Sequence, residues 1–203
     1  SGQLFHDSDN SCVWGHKGEL IIPNIGGTFI LGDIWLREGQ GYETYAISLK
    51  RAFYASKAHY AGGVGLIKSS EPYSFQNIDS TRQISYNGYD YWLGQSFRVS
   101  RRNIVKSPLN LALAFRFISK YYSKRLDVSE KVNYPFHNKE YYLVGLSLTK
   151  QDLYKENLIY SFGSTEDIPT GYRIHFTSGL ERNEFENRYY LGSEFSAAEV
   201  GSW

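Results

Sequence analysis

Methionine is absent from this 203-residue chain, and cysteine occurs once, as Cys12. A lone cysteine excludes an internal disulfide framework and any zinc centre built from several thiolates. Long hydrophobic runs are missing as well. The longest weakly apolar stretch, "LIIPNIGGTFILG", is interrupted by Pro23 and three glycines, and a spanning helix needs ~20 apolar residues in a row. A transmembrane helix is thereby excluded; a transmembrane barrel is not, because its signal per strand is far weaker. There is no excess of one charge sign either. The formal net charge is +1, which removes the ground for bulk electrostatic capture of nucleic acid, and no nucleic-acid partner is expected. Helical periodicity is hard to find anywhere.

What the chain does contain is tyrosine, glycine and alternation. Tyrosine supplies 18 residues and glycine 19, and aromatics make up 17% of the chain. Tyrosine joins an apolar body to a polar tip, which suits a boundary between hydrocarbon and water; aromatics also favour strands in any β protein. Apolar and polar residues alternate from about residue 28 onward. In "LNLALAFRFISKYY", Leu109, Leu111, Leu113, Phe115 and Phe117 share one face, and Asn110, Ala112, Ala114 and Arg116 the other. "TFILGDIWL", "YETYAISLKRAF", "HYAGGVGLIK", "YDYWLGQSFRVS", "EYYLVGLSLTKQDL", "NLIYSFG", "GYRIHFTSGLE" and "RYYLGSEFSA" read the same way. This predicts about nine strands, most of about ten to twelve residues, against a globular mode of ~5–6 and the ~9–11 of a membrane-crossing strand. "SSEPYSFQNIDST", "RRNIVKSP", "DVSEKVNYPFHN" and "RNEFEN" carry the turn chemistry between them. Residues 1–27 read as an irregular segment and residues 28–203 as one β domain.

The second face decides the class. It is built of Gly, Ala, Ser and Thr with an occasional charge, where a soluble sandwich would carry many charges. Small polar residues suit the confined lumen of a barrel whose outer face meets lipid. Strand alternation puts Arg98, Arg116, Arg173 and Glu194 on the lumen side. Gly62, Gly63, Gly65, Gly94, Gly145 and Gly192 would let strands bend and aromatics pack across them. The expected fold is all-β: an antiparallel transmembrane β-barrel, incomplete, with an open curved sheet as the alternative form of about nine strands. With no initiator methionine and Ser1 at its head, the chain reads as a piece of something longer.

Reaction chemistry cannot be assembled from these residues. Glu166 and Asp167 are sequence neighbours and point to opposite sides of an extended segment, so they are no glycosidase pair. They stand beside Pro169, Thr170 and Gly171, which supply the fixed and permissive φ of a turn. His6, Cys12 and His16 lack a supporting ligand for a metal site. His59, His137 and His175 stand singly, as surface or lumen residues. "GGVG" (residues 62–65) precedes no helix, and no G-x-S-x-G is present. Arg101, Arg102 and Lys106 read as a solvated basic loop, with contact to anionic lipid headgroups as the lesser alternative. Neither catalytic residues, a metal nor a cofactor are expected, and the chain is read as non-enzymatic.

Three strings add more than the pattern does. "RAFYASKAHYAGG", "YDYWLGQSF" (containing Asp90, Tyr91, Trp92, Leu93 and Gly94) and "YSFGSTEDIPTGYRIHFTSGLERNEFENRYYLG" (containing Gly163, Glu166, Asp167, Ile168, Pro169, Thr170 and Gly171) occur in this order. Together they resemble the barrel region of the BamA/TamA-like outer-membrane surface antigen proteins, over roughly residues 42–198. The resemblance implies a closed barrel in the outer membrane of a Gram-negative bacterium that inserts or translocates polypeptides. Its partners would be outer-membrane lipid, client polypeptides and periplasmic proteins, and Pro169-Thr170-Gly171 would be a periplasmic turn. The chain departs from the family: it lacks the R-G-F/Y tip motif and POTRA-type repeats, it supplies about nine strands where the family has about sixteen, and it carries Ser164 where the family has Arg. A passive porin-like or structural barrel, and a soluble all-β binding module presenting Tyr and Trp, are the alternative readings.

Overall fold

A computed structural model describes residues 2–7, 13–53, 59–75, 78–99, 109–157 and 165–199. These residues form a single antiparallel sheet of ten strands: β1 (Gly2–Asp7), β2 (Val13–Ile22), β3 (Leu31–Gly39), β4 (Tyr42–Arg51), β5 (Tyr60–Phe75), β6 (Ile78–Arg98), β7 (Leu109–Lys124), β8 (Lys139–Asn157), β9 (Thr165–Asn183) and β10 (Asn187–Ala198). Every strand pairs with its neighbours in sequence, and β1 and β10 are the two edges, so the sheet is not closed into a barrel. One rim carries the β1–β2, β3–β4, β5–β6, β7–β8 and β9–β10 connections and is called the first rim; the second rim carries the others. Single-turn 3-10 helices at Ile25–Gly27 and Tyr134–Phe136 are the helical elements among the described residues.

The all-β expectation holds, and three boundaries move. Residues 1–27 are not irregular, because they hold β1 and β2. The sequence "VWGHKGELII" puts His16, Lys17 and Glu19 where alternation would show, and pairing with β3 (Leu20 opposite Ile34, Ile22 opposite Gly32) supplies the order its own pattern lacks. Residues 28–30, expected in a strand, form a turn instead: Asn24 and Phe29 take positive φ of 55° and 59°, and Asn24 Oδ1 accepts the Phe29 N–H at 2.7 Å.

The third change concerns proline. "SSEPYSFQNIDST" is no loop, since β5 runs to Phe75 and β6 starts at Ile78. Likewise Glu166, Asp167, Ile168, Pro169, Thr170 and Gly171 are not a turn but part of β9, with Pro169 opposite Leu153 and Gly171 opposite Gln151. The two prolines occupy equivalent places at opposite rims. β4 pairing ends at Ser70, before Pro72, and β10 pairing ends at Gly171, past Pro169. Each therefore sits in a hairpin that projects beyond its neighbours, where one backbone edge is free and a missing N–H costs the ladder nothing. Gly171 still marks an irregularity, with φ of +130°. Apart from Asn157, which ends β8, the expected strand "NLIYSFG" lies outside the described residues, as do Gly163 and Ser164.

The sheet is one layer thick, and among the described residues nothing covers either side of most of it. Buried hydrophobic side chains among the described residues are Ala61, Ile84 and Leu126. Without a second layer there is no packed core of the usual kind, so the two faces must be understood separately.

Candidate functional site

Cross-strand register assigns each side chain to a face. Ile34, Ile47, Leu66 and Tyr89 stand directly opposite one another across β3–β6. Leu93, Phe115, Val144, Ser178 and Leu191 form a row across β6–β10. Followed strand by strand, these rows make one apolar face from β2 to β10, and it is open: Leu93 is 65% exposed, Phe115 55%, Phe176 51% and Leu191 82%.

The apolar band crosses the strands obliquely. Its upper border is marked by Tyr45 on β4, Tyr89 on β6, Tyr142 on β8 and Tyr189 on β10. The row of Tyr45 continues through Lys68 and Asn87 to Tyr121, and Tyr142 stands two side-chain rows further along its strand. With ~4.8 Å between strands and ~6.8 Å between same-face side chains, the border slopes at roughly 35° to the perpendicular of the strands. Rings associate along it: Tyr91 stacks on Phe117 with centroids 6.3 Å apart, and Phe117 meets Tyr142 at 5.1 Å. Just outside the band Glu140 accepts bonds from the Tyr121 and Tyr142 hydroxyls. Those bonds, that from Tyr121 first, hold its carboxyl below the usual range.

The other face is small and glycine-rich. Arg98, Arg116, Arg173 and Glu194 all fall on it: Arg98 lies in one row with Arg173, and Glu194 lies opposite His175. They are spread along the face and are not gathered into one site. The string Asp90–Gly94 divides by alternation. Asp90, Trp92 and Gly94 point to the small-residue face, and Tyr91 and Leu93 to the apolar one. Asp90 takes two bonds from Arg116, Nε at 2.9 Å and Nη2 at 2.6 Å. The Trp92 indole lies over Gly63, where an added Cβ would stand 2.4 Å from Nε1. A hollow of about 390 Å³ is lined on this face by Asp33, Ser48, Gly65, Gly88, Asp90 and Lys120.

Among the described residues the β7–β8 connection, residues 125–138, is densely bonded and folds over the small-residue face at the first rim. Phe136 packs on Tyr73 of β5 (5.1 Å) and Tyr122 of β7 (5.9 Å). Tyr134 reaches across to β9 and donates to Glu181, with Lys139 Nζ 3.4 Å and the Arg188 guanidinium 4.6 Å from its ring. Burial, then the bond to Glu181, push the Tyr134 hydroxyl up to about 12. Arg125 Nη1 donates to the Phe136 carbonyl (2.9 Å) and to Glu184 (2.7 Å), and Glu184 also accepts the Asn138 N–H at 3.1 Å. His137 is 1% exposed, between Tyr134 and Phe185, with Nε2 3.0 Å from the Ser129 carbonyl. It is a loop-anchoring residue, not the isolated surface or lumen histidine expected. Sequence reasoning took this segment for a plain turn; its only signal was the aromatic density of "NYPFH".

Among the described residues no cluster of three or more His, Cys, Asp or Glu side chains could hold a metal ion, and no helix is long and apolar enough to cross a membrane. Cys12, Arg101, Arg102 and Lys106 lie outside the described residues. No protein-family model matches the chain, and neither a curated protein nor a solved structure is found similar to it.

Proposed function

We propose that the chain is a membrane-embedded portion of a non-enzymatic outer-membrane β-barrel of the BamA/TamA-like type, which inserts or translocates polypeptides at the outer membrane of a Gram-negative bacterium. The observation that carries the membrane reading is the exposed apolar band. It runs across β2 to β10, is bordered by tyrosines, and slopes at an angle close to the ~35–45° strand tilt of such barrels. On β6 it extends from Tyr89 to Phe97, ~27 Å along the strand and about 22 Å after tilt, near the ~25 Å apolar height of outer-membrane barrels. In water so continuous an apolar surface would drive aggregation. Support for the polypeptide role is the resemblance of the three strings, with a second face whose strand centres carry mainly Gly, Ala, Ser and Thr.

The test is nitroxide scanning of the chain reconstituted in vesicles, with Cys12→Ser as background and single labels at Leu146→Cys and Ser147→Cys. The label at 146 is expected to be relaxed by lipid-soluble oxygen and the label at 147 by a water-soluble nickel chelate. Equal access of both labels to the chelate would overturn the membrane reading.

A further inference from the structure

Backbone ladders in this sheet join strands that are consecutive in the chain. A ladder fixes register firmly, but the angle between paired strands varies over roughly 10–35°. Summed over several strands, that freedom leaves the direction and degree of curl open unless something joins strands that are not neighbours.

The β7–β8 connection does so, and its attachments lie on the small-residue face. Phe136 packs on Tyr73 of β5 and on Tyr122 of β7. Tyr134 bonds Glu181 of β9 and lies against the Arg188 guanidinium of β10. Arg125 and the Asn138 N–H both hold Glu184 in the β9–β10 turn, and His137 packs on Phe185 beside it. β5 and β10 are five ladders apart in the sheet, or ~24 Å along it. One segment touches both from the same side, with its Leu126 and His137 only 5% and 1% exposed. A segment that rests on β5, β7, β9 and β10 from one side draws them toward that side. Two other ties between non-neighbouring strands are single contacts: the Gln83 amide on the Gly41 carbonyl at 2.7 Å, and the Phe53 ring over Gly94.

We propose that residues 125–138 are a brace that sets the curl of β5–β10 and makes the small-residue face the inner one. The direction of curling is then a property of the chain and does not depend on lipid. The brace also fills the first-rim end of the inner face. This goes beyond the membrane reading and stands on the loop contacts alone.

The experiment is a distance measurement by double electron–electron resonance on the full chain with Cys12→Ser as background, in vesicles and in detergent micelles. Nitroxides at Val64→Cys and Leu180→Cys stand in one row on the apolar face, four ladders apart. On a flat sheet their strands would be ~19 Å apart, and on the outer side of a curled sheet the labels splay further. Wild type is expected to give one narrow distance above that value in both media. Replacing residues 122–137 by Asn-Gly, a two-residue hairpin turn, removes the brace. That change should shift the distance toward the flat value and widen its distribution about two-fold or more. Tyr73→Ala, which frees the β5 end, should give a smaller widening. It carries the test if circular dichroism shows that the replacement variant has lost the sheet. A distribution unchanged in the variant that keeps the sheet overturns the brace and leaves the membrane reading standing. A wild-type distance at or below the flat value, or a long distance found in vesicles alone, overturns the built-in inner face.

Discussion

Glycine 63 and glycine 65 look alike in sequence and do different work. A Cβ on Gly63 would strike the Trp92 indole at 2.4 Å, whereas on Gly65 its nearest neighbour is Asp90 Cβ at 3.7 Å. Gly179 is tighter still, because the first atom met is the Tyr142 carbonyl oxygen at 2.4 Å, which belongs to the backbone and cannot swing aside. Gly179→Ala should therefore destabilise the sheet by about 1–3 kcal/mol through overpacking. Gly65→Ala should be neutral or stabilising by up to ~1 kcal/mol, since alanine loses less backbone freedom on folding. Midpoints of urea unfolding in lipid vesicles would show the order; a Gly65→Ala variant as unstable as Gly179→Ala would contradict the geometry. The same scale explains the Asp90–Gly94 string. Its aspartate, tryptophan and glycine serve one face while its tyrosine and leucine serve the other.

Among elements, the β7–β8 connection is the one whose behaviour should depend on pH. Burial pushes the Glu184 carboxyl up, but the Arg125 guanidinium and the Asn138 N–H outweigh it, and the net displacement is downward. A carboxyl depressed in the folded state contributes stability that is complete above the ordinary carboxylate value of ~4.3 and is lost as pH falls through the lower folded value. The connection should thus hold firm at neutral pH and loosen in acid. Amide exchange at residues 133–138 should rise as pH drops below about 4 relative to exchange in β7, once the intrinsic pH dependence is removed. Glu184→Gln should remove that difference and show faster exchange at pH 7. At the alkaline end Tyr122 and Tyr134 are both pushed up to about 12, chiefly by burial, so their clamp is complete below the ordinary tyrosine value of ~10 and fails only as pH rises toward 12.

Legibility also varied by element. β7 was plain because Leu109 to Phe117 alternate without a break and bury nothing that contradicts the pattern. β1 and β2 were hidden because their order comes from the neighbouring strand and not from their own residues. Pro72 and Pro169 were read as breakers because local sequence does not say where neighbouring strands stop, and only that position makes proline harmless. Face membership of Arg98, Arg116, Arg173 and Glu194 was readable from alternation alone. The clamp around His137 was not, since it joins residues from β5, β7, β9 and the β9–β10 turn that are up to about a hundred positions apart.

At the scale of the molecule, the polypeptide role has its own test. A photo-cross-linker at Ser147, on the small-residue face, should capture an unfolded outer-membrane polypeptide presented to the reconstituted chain, and one at Leu146, on the apolar face, should capture lipid. Capture of lipid alone at both positions would leave a passive barrel. One further consequence follows from the pairing order. Every ladder joins strands that are consecutive in the chain, so no long-range closure is needed before the first contacts form. Loop-closure entropy is met in short steps, and stability is close to a sum of neighbour-to-neighbour terms, as in a repeat array. Such a sheet can fold by adding strands in sequence, and a shortened version of it is expected to keep the register of the strands that remain.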